Sequence, residues 1–418
     1  MTKEKFTGYQ KFVVGLLAFL QFTIILDFMI LSPLGATLIP TLQITPSQFG
    51  LVVSVYAFSA GLSGLLAAGF ADRFDRKKIL LFFYSGFILG TLLCGLAPTY
   101  PFLLFARTVT GLFGGVIGSV ILAIATDLFP LEMRGRVMGV IQTSFAASQI
   151  LGIPIGLYLS NRWNWHAPFL MIVTIGLLVG SVIFFRLKPI DAHLKLKQDH
   201  SAFRHLRKTI SNSSYLLAFL ATALLSMGGF MLMPFGSAFS VNNLGIKIDQ
   251  LPMMYLITGL CTIFAGPLIG KASDQFGKFP VLLFGTLLSM VMVLIYTNLG
   301  LTPFPIVILT NVIMFVGVFS RMIPSQALIT AIPAPAMRGS FNAVSASLQQ
   351  ISGGIASAFA GLIVSQRPDG HIIHFNILGY IICCTALCTL SIMYRIHKRV
   401  PENIPHSNPL NNEHPSHS

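Results

Sequence analysis

Residues 12–38 read FVVGLLAFLQFTIILDFMILSPLGATL, and this run sets the class of the protein. It is long and apolar enough to cross the hydrocarbon core of a bilayer as a helix. Asp27 is its only charged residue. A charge at the bilayer centre costs roughly 2.5–3.5 kcal/mol on insertion scales, so such residues usually face a water-filled cavity and act there. The alternative is an interior carboxylate that is held by a partner for packing alone.

The composition of the whole chain excludes the soluble classes of protein. Of 418 residues, 54% are hydrophobic and only 10% are charged, and the mean hydropathy is +0.78. These values are typical of a helical protein that crosses the membrane many times. The net charge of +14 does not indicate a nucleic-acid partner, because the basic residues lie in short loops between apolar runs. No cofactor or metal is expected, since the five cysteines have no ligand or redox spacing.

Runs of about 20 apolar residues predict twelve membrane-spanning helices. A polar and basic segment, residues 187–211, separates the first six from the last six. We therefore expect an all-α integral membrane protein with two pseudo-symmetric six-helix halves, residues 1–186 and 212–394, joined by 187–211 as a basic cytoplasmic linker. Residues 395–418 are predicted to be a disordered cytoplasmic tail. The predicted spans are 12–35, 47–69, 79–97, 102–126, 137–160, 168–186, 212–236, 250–269, 279–298, 305–330, 341–364 and 374–394.

The distribution of lysine and arginine predicts the orientation of the chain. Of the 27 basic residues, Arg162, Lys247 and Arg367 lie in loops on one side of the predicted bundle, and Arg107 and Arg321 lie inside spans. All the others lie on the side that carries both termini. Because short loops rich in lysine and arginine stay in the cytoplasm, both termini are predicted to be cytoplasmic. The expected location is the inner membrane of a bacterium.

Positions in the first half recur in the second half in one register. Such a repeat predicts two parallel six-helix halves, and alternating-access carriers place their substrate site between such halves near the middle of the membrane. The corresponding pairs are Asp72 with Asp274 (offset 202), Arg134 with Arg338 (offset 204) and Pro33 with Pro234 (offset 201).

Short motifs along the chain resemble those of the major facilitator superfamily of secondary transporters. Residues 68–77 (AGFADRFDRK) are similar to its signature between spans two and three, G-x-x-x-D-R-x-G-R-[RK], with the first glycine one place late and Asp75 in place of the second. Residues 107–118 (RTVTGLFGGVIG) resemble its helix-four signature. Residues 152–156 (GIPIG) and 165–169 (WHAPF) resemble shortened or altered motifs of its drug–proton antiporters. The resemblance implies the major facilitator fold with twelve spans.

The resemblance also implies a latch between the two halves on the cytoplasmic side. In the resembled family, the loop between spans two and three closes this side while the carrier faces outward. Asp72 is expected to pair with Arg76 or Arg134, or to interact with the positive N-terminus of the eleventh span. The alternative is a basic loop that only sets topology, although that role requires no acid. The residues assigned to the latch are Asp72, Arg73, Arg76, Lys77, Arg134, Asp274 and Arg338.

Arg107 is the expected partner of Asp27. At a rise of about 1.5 Å per residue, the two lie at the same depth in the first and fourth spans, to within about a turn. In the resembled fold, spans one, four, seven and ten line the cavity, so the two side chains are expected to meet across it. The predicted role is proton coupling, in which Asp27 alternately binds a proton and pairs with Arg107.

Glycines and a proline are predicted to shape two of the spans. Four glycines between residues 111 and 118 leave the fourth span with a smooth stripe, which favours close packing against a neighbouring helix. Gly152, Pro154 and Gly156 are predicted to bend the fifth span. In the resembled antiporters such a bend seals the outer side against leak.

Polar residues in the tenth and eleventh spans are candidates for the substrate cavity. Asn311 and Gln326 either face the cavity or only form hydrogen bonds between helices. Arg321 either lines the cavity or extends toward the cytoplasmic surface. Gln349 in the eleventh span completes the candidate set.

The chain is predicted to be a secondary active transporter and not an enzyme. The phosphate-binding loop G-x-x-x-x-G-K-[ST] does not occur in it, so transport must use an ion gradient or run downhill. Proton-coupled efflux of a drug-like compound or metabolite by a monomer is expected, with a small-molecule substrate, protons and the lipid bilayer as partners. Proton-coupled uptake of a sugar, organic acid or siderophore is the alternative. A membrane enzyme would need a catalytic cluster that the sequence does not offer. A sensor or scaffold that has lost transport is a further alternative, and the intact Asp72, Arg107 and Asp27 argue against it.

Overall fold

The computed structural model describes residues 6–67, 74–191, 194, 209–333 and 337–399, and within these ranges the protein is almost entirely helical. The predicted all-helical membrane architecture is confirmed. The helices are α1 (Gly8–Ile30), α2 (Gly35–Leu42), α3 (Pro46–Ala67), α4 (Arg76–Gly95), α5 (Tyr100–Leu128), α6 (Leu131–Ala147), α7 (Ile153–Arg162), α8 (Ala167–Arg186), α9 (Ser213–Asn242), α10 (Leu251–Phe276), α11 (Lys278–Thr297), α12 (Phe304–Thr330), α13 (Arg338–Ile363) and α14 (Phe375–Arg399). A π-helical turn, Ser148–Gly152, joins α6 to α7, and a 3-10 turn, Ile248–Gln250, precedes α10.

Eleven helical segments of the described chain are long and apolar enough to cross a membrane. The remaining predicted span is α13, which has 26 residues but is rich in serine, glycine and glutamine. It is buried against α3 at very short range: a Cβ atom on Gly50 would stand 2.7 Å from the carbonyl oxygen of Ser357, and one on Gly61 2.9 Å from that of Ser347. Small residues permit this approach, so the polar groups of α13 face another helix instead of lipid.

The first span is longer than predicted and is interrupted. The sequence predicts one helix over 12–35, whereas α1 ends at Ile30, residues 31–34 form turns, and α2 begins at Gly35. Pro33 lies in the interruption, where its ring and its missing N–H disfavour a continuous helix. Because lipid offers no hydrogen bonds, backbone groups released at such a break must find a partner inside the protein.

Ser237 of α9 supplies that partner. Its hydroxyl donates to the carbonyl oxygen of Ser32 at 3.0 Å and accepts from the backbone N–H of Ala36 at 3.3 Å. One side chain of the second half therefore bridges the two sides of the break in the first half.

The two halves share one apolar core at one end of the bundle and have separate cores at the other, where α3 remains in contact with α13. With twelve crossings, Gly8 and Arg399 lie at the same end, called here the terminal face; the other end is the opposite face. Toward the opposite face one apolar core contains residues of both halves, such as Phe49 and Phe235. Toward the terminal face there are two cores, one around Phe87 of the first half and one around Phe341 of the second, with Leu65 of α3 at the edge of the latter.

Hydrogen bonds between the halves lie toward the opposite face, as the shared apolar core does. Besides the bonds of Ser237, the amide of Asn161 donates to the carbonyl of Ile248 at 3.0 Å at the opposite face. The hydroxyl of Ser54, in the part of α3 nearer that face, donates to the carbonyl of Gly354 at 2.8 Å. The described chain is thus closed at the opposite face.

A short β-hairpin covers part of the opposite face. Its strands are β1 (Ser365–Gln366) and β2 (Ile372–Ile373), and they are antiparallel. The side-chain amide of Asn243 donates to the carbonyl of Ile372 at 2.8 Å and accepts from its N–H at 2.9 Å. This side chain therefore holds the hairpin on the end of α9.

We expect the glycines of α5 to differ in their tolerance of larger side chains. A Cβ on Gly115 would collide with the backbone carbonyl of Ala60 on α3, whereas one on Gly118 would have no atom within 4 Å. Gly115→Leu should therefore reduce the folded protein in the membrane and destabilise it by about 1–3 kcal/mol or more, since overpacking costs that much in cores. Gly118→Leu is the matched control and should leave the level and melting temperature in detergent unchanged. Equal losses for both variants would contradict this packing.

We expect Ser237→Ala to favour conformations that are open at the opposite face. It removes two hydrogen bonds worth about 1 kcal/mol each, which is enough to change a two-state ratio by about five-fold or more. The measurement is the distance between spin labels at Trp163 and Leu301, exposed residues of the two halves at that face. Ser240→Ala is the control, because Ser240 bonds Tyr296 within the second half. If the distance distribution in Ser237→Ala is the same as in the native chain, the bridge does not hold this face closed.

Candidate functional site: a buried ion pair in the first half

Asp27 and Arg107 form an ion pair in the interior of the first half. Asp27 lies near the end of α1 and Arg107 near the start of α5, and Nη1 of Arg107 is 2.8 Å from Oδ2 of Asp27. The same nitrogen lies 3.5 Å from the backbone carbonyl oxygen of Asp27. The side chains are 0% and 1% exposed, respectively. Each charge therefore depends on the other, because an unpaired charge at this depth would be strongly destabilised.

Two further side chains complete the environment of the pair. The hydroxyl of Thr91, on α4, donates to Oδ1 of Asp27 at 3.1 Å. The guanidinium of Arg107 lies over the ring of Tyr56, on α3, with 4.3 Å between its Cζ and the ring centroid, which is a cation–π geometry. The carboxylate is thus bound by two helices, and a third covers the arginine. Nε of Arg107 has no hydrogen-bond partner among the described atoms.

The two side chains meet, as expected from their depths in the first and fourth spans. All the helices around them, α1, α3, α4 and α5, belong to the first half. Both side chains are buried between these helices instead of lining an open cavity, and their role in proton coupling stays a prediction. A proton can reach Asp27 only after these helices or side chains move.

Part of the predicted latch lies outside the described residues. This applies to Asp72 and Arg73. Arg76, a proposed partner of Asp72, donates from Nε to Oδ2 of Asp127 at 2.9 Å. Asp127 lies at the end of α5, so this ion pair belongs to the first half alone.

The other basic latch residues of the first half bind carbonyl oxygens. Arg134 donates from Nη2 to Thr126 at 2.7 Å and from Nε to Phe129 at 3.0 Å, and so fixes the turn between α5 and α6. Lys77 donates from Nζ to the carbonyl of Phe184 at 2.9 Å, in the last turn of α8, where the helix dipole favours a cation. Both arginines considered as partners of Asp72 therefore have partners within their own half.

Asp75 has a role of its own at this face. It replaces a glycine of the family signature, and its side chain caps α4 by accepting from the N–H of Lys78 at 3.0 Å. Its other oxygen accepts from the N–H of Ile190 at 3.0 Å, while the N–H of Arg76 donates to the carbonyl of Ile190 at 3.1 Å. The departure from the signature thus ties the start of the linker to the first half.

The latch residues of the second half are on the surface. Asp274 and Arg338 are both exposed. Neither forms an ion pair with another residue of the described ranges. Their assignment to the latch stays a prediction.

The fifth span changes its helix type where a bend is predicted. The π turn Ser148–Gly152 comes immediately before Pro154, and the N–H of Ile153 donates to the carbonyl of Ser148, five residues back. This wider turn accommodates a proline, which cannot donate a backbone hydrogen bond. Gly152 and Gly156 lie against α1: a Cβ on Gly152 would stand 2.5 Å from Leu26, next to Asp27, and one on Gly156 2.7 Å from Ile30.

Of the predicted cavity residues, two line a recess, one lies between helices nearer the opposite face, and the fourth, Arg321, is described in the next paragraph. Gln326 and Gln349 line a recess toward the terminal face, with about 310 Å³ of empty space including its open part. Asn311 lies nearer the opposite face and is buried, where its amide donates to the carbonyl of Val307 at 3.0 Å within α12 and lies 3.9 Å from the sulfur of Met254. Asn311 is therefore a contact between helices. The other residues that line the recess are Thr222, Leu225, Ser226, Met322 and Ile329.

Arg321 is buried in the second half. It is 5% exposed, so it does not extend to the surface. Its Nη2 atom faces α9, 3.2 Å from the position of a Cβ on Gly228, and its Nε has no hydrogen-bond partner among the described atoms.

A family model, the Major Facilitator Superfamily, matches residues 17–357 and 218–414 of this chain. The chain belongs to the major facilitator superfamily. It is therefore a secondary transporter of small molecules and not an enzyme, as predicted.

Several bacterial members of the superfamily are similar to this chain, two of them along most of its length and one along about a third of it. An uncharacterized MFS-type transporter, YceJ, of Bacillus subtilis (strain 168) is 27% identical over 378 residues, which cover 89% of this chain and 94% of YceJ. A bicyclomycin resistance protein homolog of Haemophilus influenzae is 26% identical over 342 residues, covering 78% and 82% of the two chains. Multidrug resistance protein 3 of Bacillus subtilis is 31% identical over 152 residues, which are 36% of this chain and 30% of that protein.

Solved structures of the superfamily share the fold. A D-xylose–proton symporter matches with a TM-score of 0.73 at 17% identity, covering 94% of this chain and 98% of the symporter. A bacterial homolog of the human lysosomal transporter Spinster, in an inward-facing and unoccupied conformation, matches with a TM-score of 0.69 at 16% identity, covering 94% and 96%. At these identities the matches show the major facilitator fold.

Sequence reasoning missed several residues of the site. Tyr56 and Thr91 carry no motif, and only the expectation that a buried pair needs further hydrogen-bonding and cation–π partners could have prompted a search for them in spans two and three. Asp127 was detectable, because an acid at the end of a span beside a basic loop is a natural partner for Arg76. Ser237 follows the repeated proline–glycine motif, but a serine inside a span is too common to indicate a bridge.

Proposed function

We propose that this transporter moves its substrate by alternating access and couples transport to protons through Asp27 and Arg107, most simply as an efflux carrier of a drug-like compound or metabolite. The observation that carries the proposal is the sealed ion pair. A carboxylate that is fully buried yet paired has two available arrangements: the ion pair, which is neutral overall, or a protonated acid, after which the arginine keeps its positive charge and must turn to another partner. Switching between them changes the packing of α1 against α5.

The neighbourhood of the pair supports a link between protonation and conformation. Asp27 lies four residues before the interruption of the first span, which Ser237 of the second half bridges. Leu26, next to Asp27, contacts Gly152 at the π turn of the fifth span. A displacement of the end of α1 after protonation would therefore act on both the closure at the opposite face and the fifth span.

Efflux is the first choice of direction because two relatives carry resistance in their names, a bicyclomycin resistance protein homolog and multidrug resistance protein 3. Proton-coupled uptake is the second candidate function, and the structural match to a D-xylose–proton symporter supports it. The two are distinguished with inside-out vesicles whose lumen is acidified. An exchanged substrate should make the lumen more alkaline, and a co-transported substrate should make it more acidic.

The coupling proposal predicts that Asp27→Asn abolishes accumulation driven by a pH gradient. The neutral side chain can still occupy the site but cannot exchange a proton, so substrate binding and downhill exchange should persist. Arg107→Gln should also impair coupling, and it leaves a buried carboxylate unpaired, which costs about 3–5 kcal/mol. The measurement is substrate movement in proteoliposomes with and without an imposed pH gradient, at matched protein content.

Two controls make this test decisive. Asp249→Asn removes an exposed carboxylate of a loop and should transport as the native chain does. The double variant Asp27→Asn with Arg107→Gln restores electrical balance without a proton site. If that double variant recovers gradient-driven transport, or if Asp27→Asn keeps it, the pair serves packing alone.

The proposed orientation places the terminal face in the cytoplasm. In a cysteine-free background, we expect a cysteine at Leu301, which is 85% exposed at the opposite face, to react with an impermeant maleimide added to intact cells. A cysteine at Ser201, in the linker, should react only after permeabilisation. Labelling of position 201 from outside, with protection of position 301, would reverse the orientation.

The latch belongs to the proposal as a cytoplasmic closure made in the outward-facing state. The structure supports it indirectly, because the terminal face is the end where the two apolar cores are separate. Asp72 would meet the start of α13 at Arg338 when the halves close there. The ion pair of Arg76 with Asp127 and the bonds of Arg134 would then shape the first half's side of the closure.

A further inference from the structure

The second half contains a buried cation for which the described chain provides no counterion. Arg321 is 95% buried. The acidic residues of the described second half are Asp249, Asp274 and Asp369, and all three are exposed in or beside loops. None of them forms an ion pair with Arg321. Because a buried, unpaired charge is costly, the site favours an anion that comes from outside the polypeptide.

Comparison with the first half locates the missing acid. The repeat offset of 201 between spans one and seven pairs Asp27 with Gly228. Gly228 is the residue that Nη2 of Arg321 faces, at 3.2 Å from the Cβ position. In the first half a carboxylate of span one neutralises an arginine of span four. In the second half Gly228 stands where the carboxylate would be, and the arginine that faces it, Arg321, comes from another position of span ten, because the offset of 204 pairs Arg107 with Asn311.

A recess that opens toward the terminal face lies close to Arg321 along the chain, although the arginine itself is not one of the residues that line it. Leu225 lines the recess and lies one helical turn from Gly228 on α9, and Met322, which also lines it, follows Arg321 on α12. Gln326 and Gln349 add amide groups to the same walls. A molecule that enters from the terminal face could therefore place its polar part among the glutamines and its charged end at Arg321.

We propose that Arg321 binds the carboxylate of the transported substrate, so that this carrier handles small organic monoanions; the inference rests on the transport function proposed above. One guanidinium balances one negative charge, whereas a phosphate dianion would leave a second charge unpaired in the protein interior. A carboxylate bound side-on to Nε and Nη2 would occupy the vacant donor Nε. Planar bidentate pairing of this kind is the strongest that arginine makes with an oxyanion.

The first experiment measures binding by the purified full-length carrier. The probes are a panel of aromatic and aliphatic monocarboxylates, each paired with its uncharged primary amide, and the readout is the melting temperature in detergent. We expect at least one carboxylate to raise the melting temperature of the native chain more than its amide does. That extra stabilisation should be lost in Arg321→Gln and reduced in Arg321→Lys, which keeps the charge but not the planar donors. No excess for any carboxylate, or an excess that survives in Arg321→Gln, would overturn the proposal.

A second pair of variants tests the vacant position directly. Gly228→Asp should supply an internal counterion, raise the melting temperature of the ligand-free protein and abolish the response to carboxylates. Gly228→Asn has nearly the same size without the charge, so it should not raise the melting temperature of the ligand-free protein. An identical effect of both substitutions on ligand-free stability would show that Arg321 does not need an anion.

The outcome is separable from that of the coupling proposal. If an uncharged compound is moved by a pH gradient, and this movement is lost in Asp27→Asn but kept in Arg321→Gln, proton coupling stands and the carboxylate site falls. If carboxylate binding depends on Arg321 while Asp27→Asn still couples to the gradient, the reverse holds.

Discussion

The need to pair every polar group inside the bilayer governs this structure. A backbone or side-chain group without a partner costs several kcal/mol in hydrocarbon, where no water can replace the partner. The chain therefore crosses the membrane as helices. Where a helix is interrupted or changes its hydrogen-bonding pattern, another hydrogen bond replaces the one that is lost. At residues 31–34 the replacement is the hydroxyl of Ser237, and at Ser148–Gly152 it is a hydrogen bond reaching one residue further back. Both irregularities lie beside α1, close to the one buried acid of the spans.

Charges in the interior follow the same rule with larger energies. Arg107 is balanced by Asp27 and covered by Tyr56, so the first half is electrically complete as it stands. Nη2 of Arg321 in the second half faces Gly228, and no acid of the described second half pairs with it. Each half thus has a buried arginine, at positions of the fourth and tenth spans that do not correspond, but only the arginine of the first half has a buried acid beside it. The complete half suits a group that exchanges a proton, and the incomplete half suits a group that binds an anion.

Periodicity, hydropathy and charge placement were sufficient to predict the all-helical membrane fold and the depth at which Asp27 and Arg107 meet, and the resemblance of the short motifs indicated the family. They did not show which way those side chains point, because depth along a helix is read from sequence whereas rotation about its axis depends on the neighbouring helices. The interruption of the first span was hidden for a related reason. Pro33 alone is compatible with a kinked continuous helix, and the hydroxyl of Ser237, 205 residues after Ser32, is a long-range partner for the backbone groups at the break. Long-range bonds of this kind leave no local pattern in the sequence.

The division between the halves also suggests how one event could drive the other. The opposite face is held by a shared apolar core and by Ser237, and its hydrogen bonds connect α9 to the end of α1. Gly228, where the substrate's carboxylate is proposed to bind, lies on the same helix α9, nine residues before Ser237. Asp27 lies on α1, five residues before Ser32. A proton that binds Asp27 would act on one end of the Ser237 bridge, through α1, and an anion that binds near Gly228 would act on the other end, through α9. The stability of the bridge would therefore depend on both. Coupling between proton and substrate then requires no direct contact between them, only that each changes the stability of the same closed face.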